Sequence, residues 1–211
     1  MERLEQATGH RVQRIGLSAT VGNPDTVARF LGGVHSVTTV EVEVDKSYLY
    51  NVEFPEPGDE DYDLADEIDT SPKAASRLNR IRRLVDDHNG TLIFVQGRGQ
   101  AEALGYKLKT LSKGVEVHHG SLSREQRHRV EDEFKAGGLN AIVCTSTLQL
   151  GIDICEVDLC IQYLSPRQVS TLMQRVGRSG HRLSCLSKGV TIPAYGEDAL
   201  ECVVTSEMAR R

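Results

Sequence analysis

The sequence predicts an α/β fold, a parallel sheet with helices on both faces, and three observations predict it. Short apolar runs such as Leu92-Ile93-Phe94-Val95 and Ala141-Ile142-Val143-Cys144 carry no polar alternation, the pattern of strands buried on both sides. These runs alternate along the chain with segments of helical periodicity, which implies parallel strands joined by crossover helices. Clusters of Gly, Ser, Thr and Arg follow several of the runs, at the carboxyl ends where open α/β sheets bind ligands.

The elements follow in order. Val12–Leu17 is a short strand candidate. Asn23-Pro24-Asp25 caps a brief helix carrying Val27, Phe30 and Leu31, ended by Gly32-Gly33. Val37–Val44 alternates and reads as a strand, Tyr48–Phe54 as a second, both in a connecting ribbon. Ala74, Leu78, Ile81 and Val85 mark a helix, Leu92–Val95 a buried strand, and Ala101, Leu104, Leu108 and Leu111 the next helix, closed by Gly114. Val115–His118 is a strand. Ser123 and Gln126 form a capping box that opens a helix running through Phe134. Strands over Ala141–Cys144 and Leu159–Tyr163 follow, then a helix over Gln168–Val176, a strand over Gly189–Ile192 and a final helix near Glu197–Met208.

At 211 residues the chain is one sizeable domain, or one plus a fragment, with enough length for a real core. No run approaches the roughly 18 apolar residues of a membrane span, and no apolar signal region opens the chain; the expectation is a cytoplasmic module with no membrane partner. Five cysteines, an odd number, form no C-x-x-C pair, which argues against a disulfide framework and a zinc site. The net charge is −5, but eight acids lie between Pro55 and Ser71 with no Lys or Arg among them; without them 22 acids face 25 bases. The acidic block reads as a solvated loop or mobile insert. Within it Asp66-Glu67-Ile68-Asp69 imitates a magnesium-binding motif but follows no apolar strand. No G-x-x-x-x-G-K-[ST] phosphate loop occurs. His118-His119 point to opposite faces of a strand and cannot chelate one ion together, so they read as a core or motif-supporting pair. Aromatics are 5% with no Trp, so backbone grip suits a nucleic-acid partner better than base stacking.

The run Gln174-Arg175-Val176-Gly177-Arg178-Ser179-Gly180-His181-Arg182 concentrates three arginines and a histidine around two glycines. Arginine's planar fork matches phosphate oxygens two at a time. Upstream, Val169, Leu172, Met173 and Val176 make one apolar helical face, and Ser165-Pro166-Arg167-Gln168 reads as a helix start with Ser as the cap. A packed helix therefore delivers arginines to something anionic. A solvated basic turn would explain the arginines but not the glycine spacing.

Four further stretches precede this run: Ile15-Gly16-Leu17-Ser18-Ala19-Thr20, Thr91 to Arg98, Val117 to Ser123, and Ala141 to Asp153 with its Gly151-Ile152-Asp153 turn. In this order and spacing the set resembles motifs III to VI of superfamily 2 helicases. The wording from Gln162 to Gln168 is most similar to the Lhr (large helicase-related) family. The resemblance covers nearly the whole chain, weakest between about Val34 and Asn89.

The resemblance implies a RecA-like sheet of the P-loop NTPase class, the second lobe of an ATP-dependent DNA helicase. Residues 1–33 would be the tail of a first lobe including motif III, 34–71 connecting strands and the acidic loop, and 72–211 the second lobe. ATP and Mg2+ would be bound mainly by the first lobe, absent here, while Arg178 reaches over as an arginine finger assisted by His181 or Arg182. Arg175 would fix the motif by salt bridging to the adjoining loops or the other lobe. Gly151 and Asp153 would meet the nucleotide, and Ser18, Ala19 and Thr20 would couple its state to the strand. Arg98, Gly120, Ser121, Thr145 and Ser146 would hold the nucleic-acid backbone without reading its sequence. Gln96-Gly97 replaces the commoner Asn-Thr, and Gln149 stands where relatives often carry Glu, which would weaken a polar link. The implied partners are single-stranded DNA or duplex ends, with RNA or a DNA–RNA hybrid as variants, and the missing lobe. Alone the chain would turn over no ATP. The alternative is a free-standing, non-catalytic module that binds nucleic acid or a partner, and a lone Val12–Leu17 strand would be open to pairing with a second copy.

Overall fold

The computed structural model describes residues 1–18, 22–41, 47–149, 157–180 and 186–210, and the chain divides into two units, Met1–Asp45 and Lys46–Arg211. In the second unit the described strands β1 (Tyr48–Val52), β2 (Thr91–Phe94), β3 (Val115–His118), β4 (Ala141–Cys144), β5 (Leu159–Tyr163) and β6 (Ser187–Ile192) form one sheet in the order β1-β6-β5-β2-β4-β3. Every neighbouring pair is parallel. The non-sequential order is the mark of crossover connections, and helices supply them.

Those helices are α3 (Asp59–Glu67), α4 (Pro72–Asp86), α5 (Arg98–Leu111), α6 (Arg124–Lys135), α7 (Val169–Val176) and α8 (Gly196–Ala209). Side chains of α4 and α5 (Ile81, Val85, Ala101, Leu104, Leu108) share one core cluster with Ile93, Val143 and Ile161 of the strands. The alternate strand residues Leu92, Phe94, Ile142 and Cys160 face Val130 and Phe134 of α6 on the other side. On that same side Tyr50, Leu172 and Val176 form a smaller cluster, with Ala209 of α8 against it. The sheet is therefore covered on both faces, and its central strands are uniformly buried because both faces are apolar.

Two expectations for this unit are corrected. Tyr48–Val52 is no ribbon: β1 is the edge strand, in parallel register with β6 from Tyr48↔Ser187 to Val52↔Thr191. Nor is the acidic block a solvated loop, since α3 runs through it and packs on α4. Its anchor is Asp61, 5% exposed, which accepts from the Gly58 N–H and from the Asn79 amide, both at 2.9 Å. Ala65 is buried beside it, and Arg83 pairs with Glu60. Periodicity scores apolar residues, and here an acid occupies the buried position, hydrogen-bonded as a buried carboxylate must be.

The first unit holds α1 (Glu2–Thr8) and α2 (Pro24–Gly32). Asn23 caps α2 by accepting the Thr26 N–H at 3.0 Å, and Gly33, at φ 63°, ends it as expected. Arg14 ties the unit together: it pairs with Glu2 and Glu5 and donates to the Leu31 and Gly32 carbonyls. No strand forms over Val12–Leu17, nor over 37–41 of the second expected strand; 42–44 lie outside the described residues. The Val12 N–H goes to the Glu5 side chain instead of a neighbouring strand. Ile15 and Leu17 are 72% and 95% exposed, so no apolar face holds a strand there.

Candidate functional site

The expected nucleic-acid residues meet at one end of three adjacent strands. Phe94, Cys144 and His118 lie at one level across β2, β4 and β3, so the turns that follow emerge side by side, roughly 5 Å apart per strand. Arg98 is exposed at the first turn of α5, and its Nη1 donates to Ser121 Oγ at 3.2 Å. Gly120 and Ser121 are exposed in a tight turn that closes through Leu122 N–H to His119 O. Thr145 begins the short 3-10 turn Ser146–Leu148 and makes no side-chain cap hydrogen bond to it. Its N–H donates to His118 O at 3.3 Å, while Ser146 points to solvent. One guanidinium, two serine hydroxyls, a threonine and a bare glycine backbone thus line one rim.

The arginine motif sits on α7, and its two described arginines are placed very differently. Arg175 is 7% exposed. Its Nη1 donates to Gln162 Oε1 at 2.6 Å, its Nε to Gln149 Oε1 at 3.2 Å, and the guanidinium lies 5.2 Å from the centre of the Phe94 ring. Among the described residues its partners are neutral amides and an aromatic face; residues 150–156 of the adjoining loop, where a salt bridge is expected, lie outside the described residues. Burial pulls its pKa below the usual arginine value, yet the range for arginine leaves it charged. Arg178, half-buried after α7, donates from Nε to the Gln149 carbonyl at 2.9 Å.

Gln149 is therefore a hub. Its carbonyl holds Arg178, its side-chain oxygen Arg175, and its amide donates to Gln174 Oε1 at 2.6 Å. Gln149 stands where relatives often carry Glu; its amide both donates and accepts, where a carboxylate would only accept. Sequence reasoning also missed Ser179, fully buried, whose hydroxyl donates to Val176 O and receives the Lys188 N–H. It missed Asp198 as well, 5% exposed, which accepts the Ser165 and Ala194 N–H groups at 2.9 Å each.

Ser165 does not cap α7. Gln168 is the residue before the helix, Leu164 and Arg167 sit at φ 68° and 62°, and Ser165 Oγ accepts the Arg167 N–H within its own turn. Gln96, substituting in motif IV, donates to Ser165 O at 2.6 Å and joins that turn to the β2 end. Of the remaining expected residues, Ser18 lies in the first unit. Ala19, Thr20, Gly151, Asp153, His181 and Arg182 fall outside the described residues. Among the described residues no three His, Cys, Asp or Glu side chains gather as a metal ion would need, and no helix is long and apolar enough to cross a membrane.

Comparison with known proteins places this geometry. The helicase conserved C-terminal domain matches residues 76–182. The Lhr helicase/probable uracil glycosylase of Mycolicibacterium smegmatis is 37% identical over 97% of this chain and 16% of its own length. The ATP-dependent helicase Lhr-Core of Methanocaldococcus jannaschii is 40% identical over 93% of this chain and 23% of its own. The chain thus spans a quarter or less of these curated relatives. Among solved structures, the Mycobacterium smegmatis helicase Lhr bound to ssDNA and AMP-PNP superposes with a TM-score of 0.88 at 39% identity, over 99% of this chain and 28% of that one. Saccharomyces cerevisiae Dbp5 bound to RNA and ADP BeF3 shares the fold, with a TM-score of 0.69 at 21% identity over 91% of this chain and 48% of that one. With five ordered motifs, a parallel RecA-like sheet and these matches in agreement, the chain belongs to the helicase conserved C-terminal domain family and carries the Lhr-type form of that domain.

Proposed function

We propose that this chain is the second motor lobe of an ATP-dependent DNA helicase, and that it contributes a backbone grip and an arginine finger. The observation that carries the grip is the convergence of Arg98, Gly120, Ser121, Thr145 and Ser146 on one rim. Hydroxyls, a guanidinium and exposed amides suit phosphate oxygens and leave base edges unread. A single strand laid along this rim is the fitting ligand. The relative bound to ssDNA and AMP-PNP supports DNA and ATP as partners.

For ATP, Arg178 is the donor this lobe offers. The Gln149 carbonyl fixes its Nε, which aims the fork while the side chain stays half-exposed. A guanidinium held this way neutralises charge that builds on a transferring phosphoryl group. Arg175 is a positioning residue: its contacts pin the 3-10 turn after β4, through Gln149, to β5, through Gln162. His181, Arg182, Gly151, Asp153 and the Ser18-Ala19-Thr20 motif complete the proposal by resemblance, and residues 1–33 are assigned to the first lobe. ATP and Mg2+ would be held mainly by the first lobe. With one wall of the nucleotide site, this chain alone hydrolyses no ATP at a meaningful rate.

The test is Arg178→Ala in the two-lobed protein. It abolishes ATP turnover while sparing most ATP binding; equal loss of both sinks the finger assignment. Arg98→Ala in the present chain weakens binding of a labelled oligothymidylate and flattens its salt dependence by about one phosphate contact. An unchanged salt slope removes Arg98 from the grip.

A further inference from the structure

We infer that His118 and His119 are positioning residues that set the two turns of this rim, each through its Nδ1 atom. The inference rests on reading the rim as a nucleic-acid grip. Both imidazoles are buried, at 1% and 5% exposure, and they follow one another at the end of β3, so they enter opposite faces of the sheet. Each meets a carboxylate on a different helix: His118 Nε2 lies 2.9 Å from Glu131 of α6, and His119 Nε2 lies 2.6 Å from Glu102 of α5.

A carboxylate can only accept, so both Nε2 atoms carry the proton and both Nδ1 atoms are left as acceptors. What they accept is specific. His119 Nδ1 receives the backbone N–H of Ser121 at 3.2 Å, which fixes the turn holding Gly120 and Ser121. His118 Nδ1 receives the Thr147 hydroxyl at 2.9 Å, and the His118 carbonyl receives the Thr145 N–H, which fixes the turn holding Thr145 and Ser146. The two turns are neighbours, since a Cβ added at Gly120 would meet the Thr147 methyl at 3.8 Å. A buried imidazole is costly to desolvate compared with an aliphatic side chain. Two in succession, each spanning a helix carboxylate and a rim turn, set the spacing of the phosphate-facing groups through the relay Glu–His–turn.

Isosteric variants separate positioning from stability. An Asn amide oxygen falls near the place of Nδ1, and a Gln side chain reaches the place of Nε2. His119→Asn keeps an acceptor for Ser121 and gives up Glu102, whereas His119→Gln does the reverse; the same holds at His118 for Thr147 and Glu131. The readout is fluorescence anisotropy of a labelled oligothymidylate titrated with the chain at low salt, each variant checked for folding by circular dichroism. The Asn variants bind within about twofold of wild type, and the Gln variants lose about fivefold, the size of one well-placed hydrogen bond. Thr147→Val, a near-isosteric change at a half-buried position, loses a similar factor and serves if a Gln variant does not fold. Asn and Gln variants that bind alike, or a Thr147→Val chain that binds as wild type does, overturn the inference alone. A wild-type chain that does not bind the oligothymidylate overturns the grip reading and this inference with it.

Discussion

Arg175→Ala tests whether the arginine motif is held from inside. The substitution removes two hydrogen bonds from a charged donor and a cation over the Phe94 face. It also strands Gln162 Oε1, on a side chain only 2% exposed. A hydrogen bond to a charged group contributes about 1.5 to 3 kcal/mol, and an orphaned buried acceptor costs about 1 to 3. A desolvated cation–π contact adds roughly 1 to 2 kcal/mol. These terms overlap, and the total is about 3 to 5 kcal/mol. With a urea slope of about 2 kcal/mol per molar, the unfolding midpoint falls by roughly 1.5 to 2.5 M. The companion Arg175→Met with Gln162→Leu replaces both partners by apolar groups of similar volume and recovers part of the loss, because the Gln162 acceptor is no longer stranded. A midpoint shift under about 0.5 M for Arg175→Ala, or a double variant whose loss is the sum of the two single ones, refutes the reasoning.

Three further outcomes follow from the same structure. Asp61→Ala removes the acceptor for Gly58 and Asn79, so the chain loses about 1 to 3 kcal/mol and α3 amides exchange faster; unchanged exchange protection contradicts the anchoring role. Gly105→Ala drives a Cβ into Val117 Cγ2, where α5 closes on β3, and costs about 1 to 3 kcal/mol by overpacking. Val117→Ala in the same chain relieves part of that cost, and strict additivity of the two changes in a denaturation cycle argues against the contact. Burial holds the His118 pKa below the ordinary histidine value, against the opposing pull of Glu131. The native state therefore binds fewer protons than the unfolded one once the pH falls through about 6.5, and stability drops there while staying level above it. Urea midpoints at about pH 7.5 and 5.5 fall further apart for wild type than for His118→Asn; equal differences assign the acid loss to other groups.

The core strands were legible because burial on both faces writes itself as an unbroken apolar run, as at Ala141–Cys144, whose limits match the strand. Helix starts were legible where a side chain does the capping, as at Ser123 with Gln126. The failures share one cause: a local signal answered by a distant partner. Tyr48–Val52 carries the alternation of a strand, but its neighbour in the sheet is Ser187–Ile192, which no local pattern announces. The segment over Asp59–Glu67 shows too little apolar surface to predict docking, and what docks it is one carboxylate against Asn79 of the next helix. Ser165 looks like a cap, yet its N–H is claimed by Asp198 and its hydroxyl by Arg167.

The same division runs through the candidate site. Residues expected to face a ligand, such as Arg98, Ser121 and Thr145, could be named from the sequence because the resemblance asks for a particular residue type at a particular strand end. The groups that hold them in place, Gln149, Gln162, Asp198 and the two histidines, act through neutral amides and by accepting main-chain N–H groups. Those interactions leave no motif, since many residue types could supply any one of them and only the assembled sheet brings them together. This asymmetry has a consequence for substitution. Under the proposed grip, changing an exposed rim residue such as Ser146 alters affinity through one contact. Changing the Gln149 side chain loosens Arg175 and Gln174 at once, because both hydrogen bonds of its amide are lost together, while its main-chain carbonyl still receives Arg178. A residue with ordinary chemistry and no resemblance to a ligand contact thereby couples the turn after β4 to the arginine helix, and losses measured at either end are coupled rather than additive.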